Sequence, residues 1–184
     1  MRKESNNSTR ILGRPLRLVM PADVRAGQVI GLVDVTGGLG SPIDLSRLAD
    51  ELGTDIAVLL PILDAGEMLD LVKVEGGAVS LTDLGRQFQK ATKNKIRLVR
   101  NQLSTIEPFK TALELATHGH AFSSGQVTET LLNRGVGWHH EPEVNEAIVR
   151  GLLIHWTIYA GLLSYNGKTD RFRKPLTNAR APSD

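Results

Sequence analysis

Apolar residues first recur at helical spacing near Ala22-Asp23, where Val29, Ile30, Leu32, Val33 and Val35 supply bulk, and the run stops at Gly37-Gly38-Leu39-Gly40. Leu45, Leu48, Ala49 and Leu52 then fall at i, i+3, i+4 and i+7. This predicts a short helix capped by Asp44 and ended by Gly53. Thr54-Asp55 can cap a second helix, with Ile56, Leu59, Leu60 and Leu63 on its inward side and a kink at Pro61. The period then changes to two. Val72 and Val74 alternate with Lys73 and Glu75, Gly76-Gly77 follows, and Val79 and Leu81 alternate with Ser80, which predicts a β-hairpin. Thr82 caps a further helix at Leu81-Thr82-Asp83-Leu84-Gly85-Arg86. Helix, short helix, turn, helix, hairpin and helix is a winged-helix layout.

The second half follows the same plan loosely. A long helix is expected from about Lys93 to Thr117, with Ile96, Val99, Leu103, Ile106 and Leu113 on one side and a bend or break at Pro108. A short helix over Gln126–Arg134 can end at Gly135. Pro142, suited to a first helical turn, opens a longer helix whose expected inner face is Val144, Ile148, Leu152, His155, Tyr159 and Leu162. Leu163-Ser164-Tyr165, a turn at Asn166-Gly167 and Phe172 make a second hairpin. The expected fold is mainly α (α+β with small β-hairpin wings), with two winged-helix-like units sharing long central helices. Residues 1–20 read as a flexible basic tail or linker, 21–92 as the first unit, 93–175 as the long helices and second unit, and 176–184 as a disordered tail.

Composition narrows the function classes. The 184 residues contain no cysteine, which removes disulfides, thiol catalysis and cysteine-ligated metals. No run approaches the roughly 18 to 20 apolar residues of a membrane span, and the basic N-terminus lacks the apolar core of a signal peptide, so the expectation is a cytoplasmic protein. Charge is segregated. Residues 44–83 carry nine acidic and two basic side chains, residues 84–110 seven basic and one acidic. Both ends of the chain are basic.

Candidate chemistry is sparse. Gly161-Leu-Leu-Ser-Tyr-Asn-Gly167-Lys168-Thr169 has one residue too many between its glycines for a phosphate-binding P-loop and no preceding strand. His118, His120, His139, His140 and His155 match no metal-ligand pattern, and no nucleophile elbow occurs. The sequence therefore predicts no enzyme, no cofactor and no metal. DNA binding, the other use of a winged helix, needs Arg, Lys, Asn or Gln at base edges. The helix in the reading position, about Asp55 to Asp70, has none of these, and its counterpart carries Glu141, Glu143 and Glu146 against Arg150, with Asn145. Duplex DNA is thus the disfavoured alternative. The outward side of the first helix suits a protein partner better: Asp55, Asp64, Glu67 and Asp70 stay solvated, with Val58, Ile62 and Leu69 on the flank, where packing on the unit that holds Trp156 is an equal alternative. The partner-contact candidates are Asp55, Val58, Ile62, Asp64, Glu67 and Asp70. Lys93, Arg97 and Arg100 share one expected helix face; they can touch phosphate, solvate the helix or pair with an acidic partner or with the acidic block of 44–83.

Five ordered stretches carry a family resemblance: Asp23-Val-Arg-Ala-Gly-Gln-Val-Ile-Gly-Leu32, Asp44-Leu-Ser-Arg-Leu-Ala-Asp-Glu-Leu-Gly53, Leu59-Leu-Pro-Ile62, Leu81-Thr-Asp-Leu-Gly-Arg86 and Trp156-Thr-Ile-Tyr-Ala160. Together, over about residues 20 to 175, they resemble the C-terminal AAA-associated domain of ABC-transporter ATPases of the nitrate/sulfonate/bicarbonate type. The sequence has no Walker motif. The resemblance implies a non-catalytic interaction or regulatory module, with an ABC ATPase or permease as partner, a possible homo-oligomer, and membrane contact only through the transporter, at the inner face. It supplies no catalytic residues, and it allows Met1–Arg17 to be the remnant of a linker to an ATPase domain.

Overall fold

The structure is a computed structural model describing residues 18–93 and 95–175; the far parts of both expected tails lie outside these residues. In the first unit, helix α1 (Ala26–Gly38) precedes strand β1 (Ile43–Asp44), helices α2 (Leu45–Leu52) and α3 (Ile56–Met68), strands β2 (Val72–Glu75) and β3 (Ala78–Leu81) and helix α4 (Asp83–Lys90). The strands form an antiparallel sheet of order β1-β3-β2, with Ile43 opposite Val79 and Val79 opposite Val74. Local chemistry accounts for the joints. Asp44 accepts hydrogen bonds from the N–H groups of Ser46 and Arg47 at the start of α2, and Gly53 ends that helix in the left-handed region at φ 61°. Gly76 and Gly77 both have positive φ, as a two-residue primed turn requires.

The element Leu81-Thr-Asp-Leu-Gly-Arg86 has a physical explanation. Thr82 Oγ1 accepts from the Gly85 N–H at 2.9 Å, and the Thr82 N–H donates to Leu71 O at 3.1 Å. Arg86 Nη1 donates to Leu81 O at 2.7 Å. A Cβ on Gly85 would lie 1.9 Å from the carbonyl oxygen of Leu71. Glycine is therefore required where α4 crosses the end of α3.

The second unit repeats this topology. Helix α6 (Phe109–Ala116) is followed by an isolated bridge at Phe122, helices α7 (Ser124–Asn133) and α8 (Pro142–Leu152), a π-helical continuation over Leu153–Ile158, and the hairpin of β4 (Ser164–Asn166) and β5 (Arg171–Arg173). Phe122 pairs with Phe172 as Ile43 pairs with Val79, and Tyr165 faces Phe172 as Val74 faces Val79. Counted from the N-caps Asp55 and Glu141, the buried positions Leu59 and Leu63 of α3 match Asn145 and Val149 of α8. The fold is mainly helical with small antiparallel wings, as expected.

Several local expectations are corrected. The single long helix over 93–117 is replaced by a 3₁₀ turn (Lys95–Val99), the one-turn helix α5 (Arg100–Leu103) and α6; the chain breaks before Pro108, which leads into α6. Helix α1 starts at Ala26 and absorbs Gly37 and Gly38. The inner face of α8 and its continuation is Asn145, Val149, Leu152, Leu153, Trp156 and Ala160, one step round from the expected stripe, and Tyr159 is exposed. The offset begins at Asn145, whose side chain is held inward by its bonds to the 138–141 loop, and the buried positions keep helical spacing through the π-helical turn. The second hairpin turns through four residues, 167–170, instead of Asn166-Gly167 alone.

Residues 18–20, which the sequence places in the tail, belong to the fold. The Met20 N–H donates to Glu107 O at 2.9 Å and the Glu107 N–H to Leu18 O at 2.8 Å, with Met20 fully buried. Both tryptophans grip the same segment. Trp138 Nε1 donates to Met20 O at 2.8 Å, and Trp156 Nε1 donates to Val24 O at 2.9 Å. Trp156 is fully buried against Phe109, ring centroids 6.2 Å apart. The apolar cores of the two units are continuous. Replacing Gly85 by alanine is expected to lower the free energy of unfolding by more than about 2 kcal/mol, because the added methyl meets backbone that cannot move aside; urea denaturation of both proteins measures it.

Candidate functional site

Helix α3 carries the candidate surface. Its buried side is Leu59, Leu63, Ala65 and Gly66, with Val72 and Leu32 packed so closely that Gly66 has no room for a Cβ. Its opposite side is apolar and exposed: Ile56 is 40% accessible, Val58 55% and Leu60 47%, with Ala57 and Pro61 also exposed. Ile56 and Leu60, expected on the inward side, face solvent instead. Leu69, expected on the flank, is fully buried, and Ile62 is half-buried. The helix is apolar nearly all round, so periodicity alone does not say which side faces the core.

The acidic candidates divide. Asp55, Asp64, Glu67 and Asp70 are all exposed. Glu67 is engaged within the fold, where its Oε1 accepts the Val74 N–H at 2.9 Å and ties α3 to the wing. A shallow groove of about 420 Å³ runs between α2 and α3, lined by Asp50, Gly53, Thr54, Asp55 and Val58. An apolar patch bordered by carboxylates thus occupies the place where a winged helix presents its partner-facing helix.

The basic candidates also divide. Lys93, Arg97 and Arg100 do not share a helix face, because no continuous helix joins them. Lys93 and Arg97 are exposed. Arg100 is committed to the fold: its guanidinium donates to the carbonyls of Ala160 and Gly161, closing the end of the π-helical turn. Lys95 pairs with Asp34 of α1 at 2.6 Å, not with the acidic block. Asn145 is buried in α8. Its Oδ1 accepts from the Trp138 and His139 N–H groups and its Nδ2 donates to the His139 and Glu141 carbonyls, fastening the 138–141 loop. Gly161 to Thr169 forms a helix end, a strand and a turn. Among the described residues, no group of three or more His, Asp or Glu side chains could hold a metal ion. Nor is any described helix long and apolar enough to cross a membrane.

Sequence reasoning missed a polar network that joins α7, α8 and the second wing. Buried Ser124 Oγ donates to Asp170 Oδ2 at 2.7 Å or Glu146 Oε1 at 3.0 Å. Arg150 bridges the same two carboxylates, to Asp170 Oδ1 at 3.0 Å and Glu146 Oε1 at 2.8 Å. Tyr165 OH donates to Asp170 Oδ1 at 3.1 Å. Burial opposes the charge on Asp170, but the hydrogen bonds from Ser124, Arg150 and Tyr165 outweigh it and hold the carboxyl below the ordinary aspartate range. Burial, then the bond to Asp170, raises Tyr165. On Arg150 burial works against the charge and the bond to Asp170 overcomes it, so the guanidinium is raised. The one signal in the sequence is Glu146 and Arg150 at i and i+4; Asp170 and Ser124 come from other elements. A depressed carboxyl stabilises the fold above its unfolded pKa and loses that contribution as pH falls through the folded pKa. Wild-type stability is expected to fall as acid is added below about pH 4. The Asp170→Asn variant starts less stable and loses less over the same interval, as thermal unfolding at stepped pH measures.

No curated protein and no solved structure matches the chain significantly. A protein-family model does match, described as the C-terminal AAA-associated domain, over residues 46–166. That span runs from α2 to the last residue of β4 and covers α3 and α8. It is also the family that the motifs from Asp44 to Ala160 resemble. The chain belongs to the family of C-terminal AAA-associated domains.

Proposed function

We propose that this protein is a non-catalytic interaction and regulatory module of an ABC-type importer for small anions of the nitrate, sulfonate or bicarbonate class. It docks on the ATPase or permease through α3. The carrying observation is the apolar patch of Ile56, Val58 and Leu60 bordered by Asp55 and Asp64. Three exposed aliphatic side chains on one short helix are costly to leave in water and fit a protein contact. Family membership supports an ATPase as the partner. In this reading the protein works in the cytoplasm, at the inner face of the membrane, through its partner.

The winged-helix layout also suits a transcription regulator. Asp64 and the aliphatic patch on the outward side of α3 would repel or miss a phosphate backbone, which makes that reading the weaker one.

The Val58→Asp/Leu60→Lys variant is expected to unfold within about 0.5 kcal/mol of wild type, since both positions are exposed. Affinity purification from the native host is expected to recover an ABC ATPase or permease with the wild-type chain and to lose it with the variant. Equal recovery of that partner by both overturns the α3 contact. Tight ATP binding or hydrolysis by the purified chain overturns the non-catalytic reading.

A further inference from the structure

The internal repeat supplies a built-in comparison between the two wings. In each wing the strand alternation turns one set of side chains inward, Val74 and Val79 in the first, Tyr165 and Phe172 in the second. The opposite face carries the cross-strand pairs. In the first wing these are Lys73 with Ser80 and Glu75 with Ala78; Lys73 and Glu75 neutralise each other in an ion pair at 2.6 Å. In the second wing the same register positions hold Ser164 with Arg173 and Asn166 with Arg171. Both arginines are exposed.

Their charge is left uncompensated within the described residues. Arg171 donates to the neutral Gln126 Oε1 at 3.2 Å. Among the described residues, Lys168, Arg171, Arg173 and Lys174 are in no ion pair. The nearest acidic residue in sequence, Asp170, is held on the other side of the hairpin by Arg150, Ser124 and Tyr165. That network also fixes the base of the turn, so the two guanidinium groups stand on a rigid support. Between them lies a cleft of about 290 Å³, lined by Ala121, Ser164, Asn166, Thr169, Arg171 and Arg173, with Tyr165 at its side. Its polar side chains offer two planar forks, the Thr169 hydroxyl and an amide, and no carboxylate, while the Ser164 hydroxyl donates to Arg173 O and that of Tyr165 to Asp170. Paired guanidinium forks beside a hydroxyl donor match the oxygens of a tetrahedral oxyanion.

We propose that the outer face of the second wing is a binding site for a phosphate-class oxyanion, seated between Arg171 and Arg173 with Asn166 and Thr169 as further donors. The site is independent of the α3 contact. Its ligand carries a phosphoryl group, whether free in solution or as a lipid headgroup.

The test uses the full chain and a variant that copies the first wing, Arg171→Ala/Arg173→Ser. Calorimetric titration with inorganic phosphate at low ionic strength is expected to give saturable binding that weakens at least about tenfold in the variant, with an unchanged thermal midpoint. Co-sedimentation with phosphatidylcholine vesicles containing phosphatidylglycerol identifies the source. Vesicle binding lost in the variant, with free phosphate bound poorly, supports the site with a headgroup as ligand; phosphate binding without vesicle binding supports it with a free ligand. If the double variant is unfolded, Arg173→Ser alone, at an exposed position, is read in its place. The proposal is overturned if wild type binds neither probe, if the variants bind both as well as wild type does, or if duplex DNA is bound instead with an affinity that rises with its length.

Discussion

Two indole N–H groups hold this molecule together. Trp138 and Trp156 belong to the second unit, yet each donates to a backbone carbonyl of the strap that leads into the first. A buried indole without an acceptor is costly, and a buried carbonyl without a donor likewise, so each bond removes two liabilities at once. The strap is additionally stitched to Glu107 by two backbone hydrogen bonds, and Glu107 in turn accepts the Thr111 N–H at the start of α6. Position and orientation of α1, and with it the core side of α3, follow from where this strap is held. Two hairpin-bearing units that could have been beads on a string therefore share one core.

The duplicated plan gives the surface chemistry its meaning. The same order of three helices and a hairpin appears twice, with the first unit's strand β1 reduced to the single bridge at Phe122 in the second, while the exposed positions diverge. In the first unit the third helix is aliphatic outside and the wing is self-neutralised. In the second unit the third helix is acidic and, among the described residues, the wing arginines are in no ion pair. Buried positions answer to packing and hydrogen bonding; exposed positions do not, and so are open to function.

Much of this was legible in the chain. Asp44, Gly53, Thr82, Gly135 and Pro142 act locally, through a cap, a left-handed end or a fixed φ, and each does what its residue type suggests. Gly76-Gly77 specifies its own turn. What escaped reading depends on partners remote in sequence. Helix α3 is aliphatic on every side, so only the packing of Leu32 and Val72 decides that Leu59 goes in and Leu60 stays out. Arg100 reads as a surface cation until the end of the π-helical turn is brought to it. Ser124, Arg150 and Asp170 meet across three elements, and no spacing announces that.

The strap joins residues separated by 118 and 132 positions in the chain. A growing polypeptide delivers Met20 and Val24 long before either indole exists, and at ribosomal speeds of about 5–20 residues per second the wait is many seconds. Throughout that interval the first unit stands without the donors that fix its entrance, and its half of the core has an open seam. Loop closure over such a span is entropically expensive but grows only slowly with length, so the docking step comes late and needs the second unit already folded. The molecule is thus assembled in the order opposite to its reading: the strap at Met20 and Val24 is among the last segments to find its place.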